Sequence, residues 1–236
     1  MSSFQFEQIG VIRSPYKEKI RRSAPARSGK KAPTANYISL LPTTRLTPFA
    51  AWKHSAIYGS FSSFIKRWKA AGVRLCVHRA SAVTPEWGVF ATRSTFRPNP
   101  IGMSLVELKE VVCHKDSVIL KLGSLDLVDG TPVVDIKPYL PFAESLPDAS
   151  ASYAQSAPAA EMAVSFTAEV EKQLLTLEKR YPQLTLFIRE VLAQDPRPAY
   201  RKGEETGKTY AVWLHDFNVR WRVTDAGFEV FALEPR

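Results

Sequence analysis

The sequence predicts a mainly β protein: an antiparallel barrel or sandwich, then a small α+β domain. Three observations carry this prediction. Short apolar or β-branched segments recur between Phe4 and Lys137 with no long helical pattern between them. Ala149 to Ala160 is a run of small residues with almost no apolar anchor, the composition of a linker. Beyond it the apolar spacing shifts from two residues to three and four.

The elements follow in order. Phe4 to Ile12 reads as a strand stopped by Ser14-Pro15. Gly88 to Thr92 reads as a second. Arg93 to Pro100 contains two prolines, which donate nothing to a ladder, so it is a shaped loop. Met103 to Val112 and Val118 to Leu122 are strands, Ser124 to Gly130 is turn-rich, and Thr131 to Lys137 is a strand closed by Pro138. After the linker, Val170, Leu174 and Leu177 mark one helix. Leu184, Phe187, Ile188, Val191 and Leu192 give the amphipathic spacing of another. Asp195-Pro196-Arg197-Pro198 breaks that pattern. Phe217 to Val223 and Phe228 to Ala232 alternate on either side of Asp225-Ala226-Gly227, which predicts a hairpin. The expected domains are 1–148 and 161–236, joined by 149–160.

The 236 residues are 45% hydrophobic and 23% charged, an ordinary globular balance. No apolar run approaches the roughly 18 residues of a membrane span, and no secretion signal opens the chain. Two cysteines, Cys76 and Cys113, make a disulfide framework improbable and suit the cytoplasm. Neither they nor the four histidines have metal-ligand spacing, so no metal is expected. The net charge of +9 is unevenly placed. Residues 20–87 hold 12 Lys and Arg against the single acid Glu86, leaving 20 bases and 22 acids elsewhere. Such a block is either a flexible basic insertion that binds RNA or a stretch read out of frame.

Three motifs could carry chemistry. In G-V-F-A-T-R-S-T-F-R-P-N-P-I-G, Gly88 to Gly102, Arg93 and Arg97 flank a proline-stiffened loop. Guanidinium forks suit carboxylates and phosphates, but solvated surface arginines fit the spacing equally well. Gly123 to Tyr139 clusters Asp126, Asp129 and Asp135 around turns. A carboxylate there can accept ribose hydroxyls, act as a base, or merely cap a turn. Asp195 to Gly203, with Arg220, Trp221 and Arg222, interleaves cations and aromatics as nucleic-acid surfaces do. No G-x-G-x-x-G loop or P-loop occurs, so a Rossmann-type site is unsupported.

The Gly88 to Gly102 run resembles the signature of the TrmO family of tRNA adenine-N6 methyltransferases. D-L-V-D-G-T-P-V-V-D-I-K-P-Y at Asp126 to Tyr139 resembles the family's second motif. Ile9 to Pro15 resembles its opening strand, and Asp195 to Tyr200 with Asn218 to Trp221 resemble its C-terminal domain. The resemblance covers 1–19 and 88–236. It implies a non-Rossmann β-barrel methyltransferase acting as a homodimer, with S-adenosylmethionine as donor. The implied substrate is threonylcarbamoyl-adenosine beside the anticodon of threonine tRNA.

By motif, Arg93, Met103, Gly123, Ser124, Leu125 and Asp126 would contact the cofactor. Asp126 or Asp129 would serve as base. Arg97, Asn99, Lys137, Arg197, Tyr200, Arg201 and Arg220 would contact tRNA, with Asp135 a neighbour of the site. The family's proline-arginine-glutamine-proline-glycine run and its histidine-glutamine pair, which help hold the cofactor, are missing between Ile20 and Trp87. A one-base shift can turn Val77 to Thr84 into R-P-P-R-L-G-G-N and Thr34 to Ile38 into A-N-G-E-L, both family-like. The rival reading is a non-enzymatic RNA-binding protein using the basic block and the C-terminal aromatics.

Overall fold

The computed structural model describes residues 5–18, 36–40, 58–60, 89–93, 95, 97–150, 162–197 and 206–236. Of the sequence expectations, Phe4, Gly88, Tyr200, Arg201 and most of the basic block and linker lie outside these. Two compact units emerge. The first spans Met1–Arg13, Asn36–Leu125 and Asp129–Leu140; the second spans Ser14–Ala35, Asp126–Val128 and Pro141–Arg236.

The first unit is one sheet in the order β3-β4-β5-β2-β1-β6, every neighbouring pair antiparallel. Its strands are β1 (Gly10–Arg13), β2 (Tyr37–Leu40), β3 (Tyr58–Ser60), β4 (Leu105–Cys113), β5 (Val118–Leu122) and β6 (Pro132–Val133). Alternation puts Ile12, Ile38, Leu40, Val118, Leu120, Leu122 and Val133 on the buried face. Burying each such side chain contributes roughly 1.5–3 kcal/mol. Among the described residues the sheet is six strands in open order.

Three expected strands differ. The first is four residues long, Gly10–Arg13, with Ile9 N–H reaching Val133 O at 2.8 Å. Val89–Ala91 is a 3₁₀ turn rather than a strand. Thr92 N–H and Oγ1–H both donate to Val89 O, at 3.2 and 2.9 Å, and close the turn. β6 stops at Val133, and beyond it the Asp135 side chain takes local partners. Asp135 Oδ1 accepts from Ile136 N–H at 2.9 Å, and Asp135 Oδ2 pairs with Lys137 at 2.8 Å. A four-residue helix, α1 (Pro141–Glu144), follows.

The second unit packs two helices on one face of a sheet ordered β7-β10-β9-β8. Thr167 precedes α2 (Ala168–Leu177), and Glu169 and Glu171 in its first turn complement the helix dipole. α2 buries Val170 and Leu174. α3 (Leu184–Ala193) buries the five apolar residues that the spacing singled out. It ends where Asp195 takes φ +51° before Pro196. β8 (Thr209–Leu214), β9 (Phe217–Thr224) and β10 (Gly227–Pro235) form an antiparallel meander, and β7 (Val164–Phe166) adds to β10 in parallel. Val212, Leu214, Val219, Trp221, Phe228 and Val230 meet the helices. Gly227 has φ +131°, and a Cβ there would fall 2.3 Å from Ala163 O, so only glycine allows β7 to approach.

Candidate active site at one end of the first sheet

Strand directions gather several motif residues at one end of the first sheet. β4 starts and β5 ends there, because Leu108 pairs Leu122 and Cys113 pairs Val118. β2 starts there and β1 ends there, since Arg13 pairs Tyr37 and Tyr37 pairs Lys121. β6 starts there too, with Val11 opposite Pro132 and Gly130 N–H on Ile12 O at 2.9 Å. This end therefore carries Met103 just before β4, Gly123 to Leu125 just after β5, and Asp129 just before β6. Loop and turn residues at strand ends are where sites usually form.

Gly123 is held closely. Its N–H donates to Glu107 O at 2.8 Å, and its carbonyl accepts from Asn36 Nδ2 at 2.9 Å. A Cβ at 123 would lie 3.2 Å from both Cβ and Oε2 of Glu107. Asn36 is 2% exposed, and its Oδ1 has no hydrogen-bond partner among the described residues. A buried spare acceptor beside a glycine turn is the kind of group that a polar ligand satisfies. Leu125 is buried at 2% exposure, so its side chain belongs to the core and only its backbone is offered outward. Met103 is 53% exposed and Arg93 is exposed, both accessible to a ligand.

Other candidates stand apart from this end or are already engaged. The Arg97 guanidinium lies 5.7 Å from the ring centre of Phe90, which is 78% exposed. Asn99 O accepts from Ile101 N–H at 2.7 Å and shapes the proline loop. Asp135 and Lys137 pair with each other beyond Val133, at the far end of β6. Asp126 belongs to the second unit, although Gly123 to Leu125 and Asp129 belong to the first.

In the second unit, Arg197 is 7% exposed and its guanidinium is committed to Asp195. It is a core residue there, whereas its motif suggested a tRNA contact. Arg220 and Arg222 project from the sheet face opposite the helices, 5.2 and 5.8 Å from the Phe231 ring centre. Their carboxylate partners are Glu234 and Glu229 respectively. The Arg220 bond holds the Glu234 carboxyl below its ordinary range. Arg236 lies 5.8 Å from the Trp213 ring.

Sequence reasoning missed Asn36, Glu107 and Phe231. Phe231 was legible as an aromatic beside the two arginines of the paired strand. Asn36 and Glu107 carry no local signal, since only strand pairing brings them to Gly123.

Comparison with known proteins places both units. The tRNA-methyltransferase O N-terminal domain matches residues 11–145, and the TrmO C-terminal domain matches 159–236. The tRNA (adenine(37)-N6)-methyltransferase of Escherichia coli K12 is 74% identical over 240 residues, all of both chains. An S-adenosyl-L-methionine-binding protein of Archaeoglobus fulgidus is 53% identical over 58 residues, 25% of this chain and 39% of its own. The crystal structure of TrmO from Pseudomonas aeruginosa superposes with a TM-score of 0.70 at 29% identity, covering 98% of each chain.

Proposed function

The chain belongs to the TrmO family over both of its domains, and from that premise we infer that it is an S-adenosylmethionine-dependent tRNA adenine-N6 methyltransferase. The observation that carries this is the full-length 74% identity to the Escherichia coli tRNA (adenine(37)-N6)-methyltransferase. The reading extends to finer points. The substrate is threonylcarbamoyl-adenosine beside the anticodon of threonine tRNA. The enzyme works in the cytoplasm as a homodimer, and its first sheet closes into a barrel. Phe142 and Leu146, 89% and 74% exposed, are apolar surface that supports pairing of two copies.

The end of the first sheet fits the cofactor. Gly123 to Leu125 offer backbone groups, Asn36 Oδ1 offers an acceptor, and Met103 just before β4 is exposed, as is Arg93. When bound, S-adenosylmethionine supplies an electrophilic methyl group on a good leaving group, so holding the partners in line is most of the catalysis. The attacked nitrogen belongs to a urea-like group and is a weak nucleophile. It sheds its proton as the new N–C bond forms. In this reading Asp126 or Asp129 is the carboxylate that accepts that proton.

The tRNA is gripped on two surfaces. Phe90 with Arg97 presents a ring and a cation on which an unstacked base can lie, with Asn99 on the same loop and Lys137 beyond β6. In the second unit, Arg220, Arg222 and Phe231 make a mixed cationic and aromatic face. Tyr200 and Arg201, outside the described residues, are further tRNA contacts of this reading. Titration of tRNA against salt tests this. Phosphate contacts give a steep linear fall of log affinity with log salt, and Arg220→Ala makes that slope shallower. An unchanged slope in Arg220→Ala removes Arg220 from the interface.

A further inference from the structure

We infer that Ser14 and Tyr16 are positioning residues for Asp126, fastening the 126–128 segment to the second unit. This deepens the methyltransferase reading and rests on it in one respect, that Asp126 serves the transfer site. Ser14 is 7% exposed. Its hydroxyl donates to Leu127 O at 2.7 Å, across 113 positions of sequence, and accepts from Tyr16 N–H at 3.3 Å. A serine hydroxyl has one proton to give, and here it goes to the backbone immediately after Asp126.

The residues after Ser14 are themselves anchored. Pro15 O accepts from His215 N–H at 2.7 Å, and Lys17 N–H reaches Trp213 O at 3.3 Å. Trp213 N–H donates to Glu18 Oε1 at 2.8 Å, and Tyr16 bridges Leu214 in antiparallel sense. Residues 15–18 thus lie along β8, joined to it by one isolated bridge and these flanking hydrogen bonds. The Tyr16 ring packs edge-on against Phe187 of α3, centres 5.5 Å apart, and Phe187 meets His215 at 5.6 Å. Burial first, then the charges of Asp126 and Glu190, push the Tyr16 hydroxyl well above its ordinary pKa. It stays protonated at neutral pH.

The second unit therefore includes two segments that precede its main span, Ser14 to Glu18 and Asp126 to Val128. Asp126 belongs to that unit, whereas Gly123 to Leu125 after β5 belong to the first. A role confined to folding would make Ser14 and Tyr16 stabilise the unit as a whole. A positioning role acts locally and through Asp126.

The test is amide hydrogen exchange on the full chain and its Ser14→Ala, Ser14→Thr and Tyr16→Phe variants, with turnover measured beside it. Losing one net hydrogen bond predicts about five-fold faster exchange at 126–129 in Ser14→Ala, with 184–193 unchanged. Ser14→Thr keeps the hydroxyl and restores protection. Turnover falls by a similar factor with KM for tRNA unaltered. In an Asp126→Asn background, adding Ser14→Ala or Tyr16→Phe changes nothing further. Unchanged exchange at 126–129, or effects that add to those of Asp126→Asn, overturn the inference. If the unsubstituted chain methylates no tRNA, the methyltransferase reading fails instead, and the exchange data still decide whether Ser14 fastens the segment.

Discussion

Arg197 folds back onto Asp195, two residues before it, with Nε on Oδ1 at 2.8 Å and Nη2 on Oδ2 at 3.1 Å, both side chains nearly buried. Asp195 holds φ +51°, and Arg197 lies 4.9 Å from the ring centre of Phe228 on the facing sheet. The pair ties the end of α3 to β10 and leaves the guanidinium little to offer a phosphate. Removing one partner strands the other charge in the core. Arg197→Ala is expected to lower unfolding free energy by about 3–5 kcal/mol in urea titration. Arg197→Lys recovers part of this, since an ammonium cannot make the forked pair. Unaltered stability with weakened tRNA binding would contradict this placement.

Asp126 and Asp129 are three residues apart but belong to different units, so their roles separate by substitution. Asp126→Asn is expected to slow methyl transfer by about 10²–10⁴, the range for loss of a general base. Asp129→Asn keeps turnover within about ten-fold by the same comparison. Single-turnover kinetics at saturating cofactor check this. The reverse order moves the proton-accepting role to Asp129.

His215 sets an acid limit on the second unit. It sits in the turn between β8 and β9 at φ +51°, its ring against Tyr181 and Phe187. Burial lowers its pKa, Asp216 works against that shift, and Lys17 adds to it. The folded chain thus binds this proton less readily than the unfolded chain. Stability is full above about pH 6.5, the ordinary histidine value, and falls as pH drops below it. Asp216, held low chiefly by the Tyr181 hydroxyl at 2.6 Å, stabilises above its ordinary range and weakens only in stronger acid. Glu190, raised by burial, has the opposite sense. Urea midpoints should fall from pH 7.5 to 5.5, and His215→Asn, which tolerates the left-handed turn, should flatten that fall. An equal fall in both proteins excludes His215 as the cause.

Much of the second unit was legible because its signals are local. Seven alternating residues and Asp225-Ala226-Gly227 spell the β9–β10 hairpin, and α3 buries the five side chains that its spacing picks out. β8 carries the same kind of signal, since Tyr210, Val212 and Leu214 alternate inward. β7 was not legible, being three residues whose parallel partner lies over 60 positions away. Val89 to Ala91 misled because apolar character does not distinguish a strand from a 3₁₀ turn closed by Thr92. At the site, the Gly123 turn was visible as a motif. Asn36, Glu107 and the fastening of Leu127 by Ser14 depend on long-range pairing, which no local pattern encodes.

Residues 20–87 are either a basic insertion, with Asn36 at the site as described, or a stretch read one base out of frame. In the second case the protein made in its source organism carries acidic residues and the missing cofactor-holding motifs there, and other residues replace Asn36 and β2. Intact mass and a tryptic map of 13–93 decide this. A mass matching 26.4 kDa together with the peptide ending at Lys66 would show the basic block to be real.

Methyl transfer itself is measurable in one assay. The protein purified from its source is incubated with methyl-labelled S-adenosylmethionine and unfractionated tRNA, and the labelled nucleoside is identified by mass after digestion. The methyltransferase account predicts label on N6 of threonylcarbamoyl-adenosine, absent when the cofactor is omitted. Salt-sensitive tRNA binding with no label transferred would contradict it and leave a non-enzymatic RNA-binding protein.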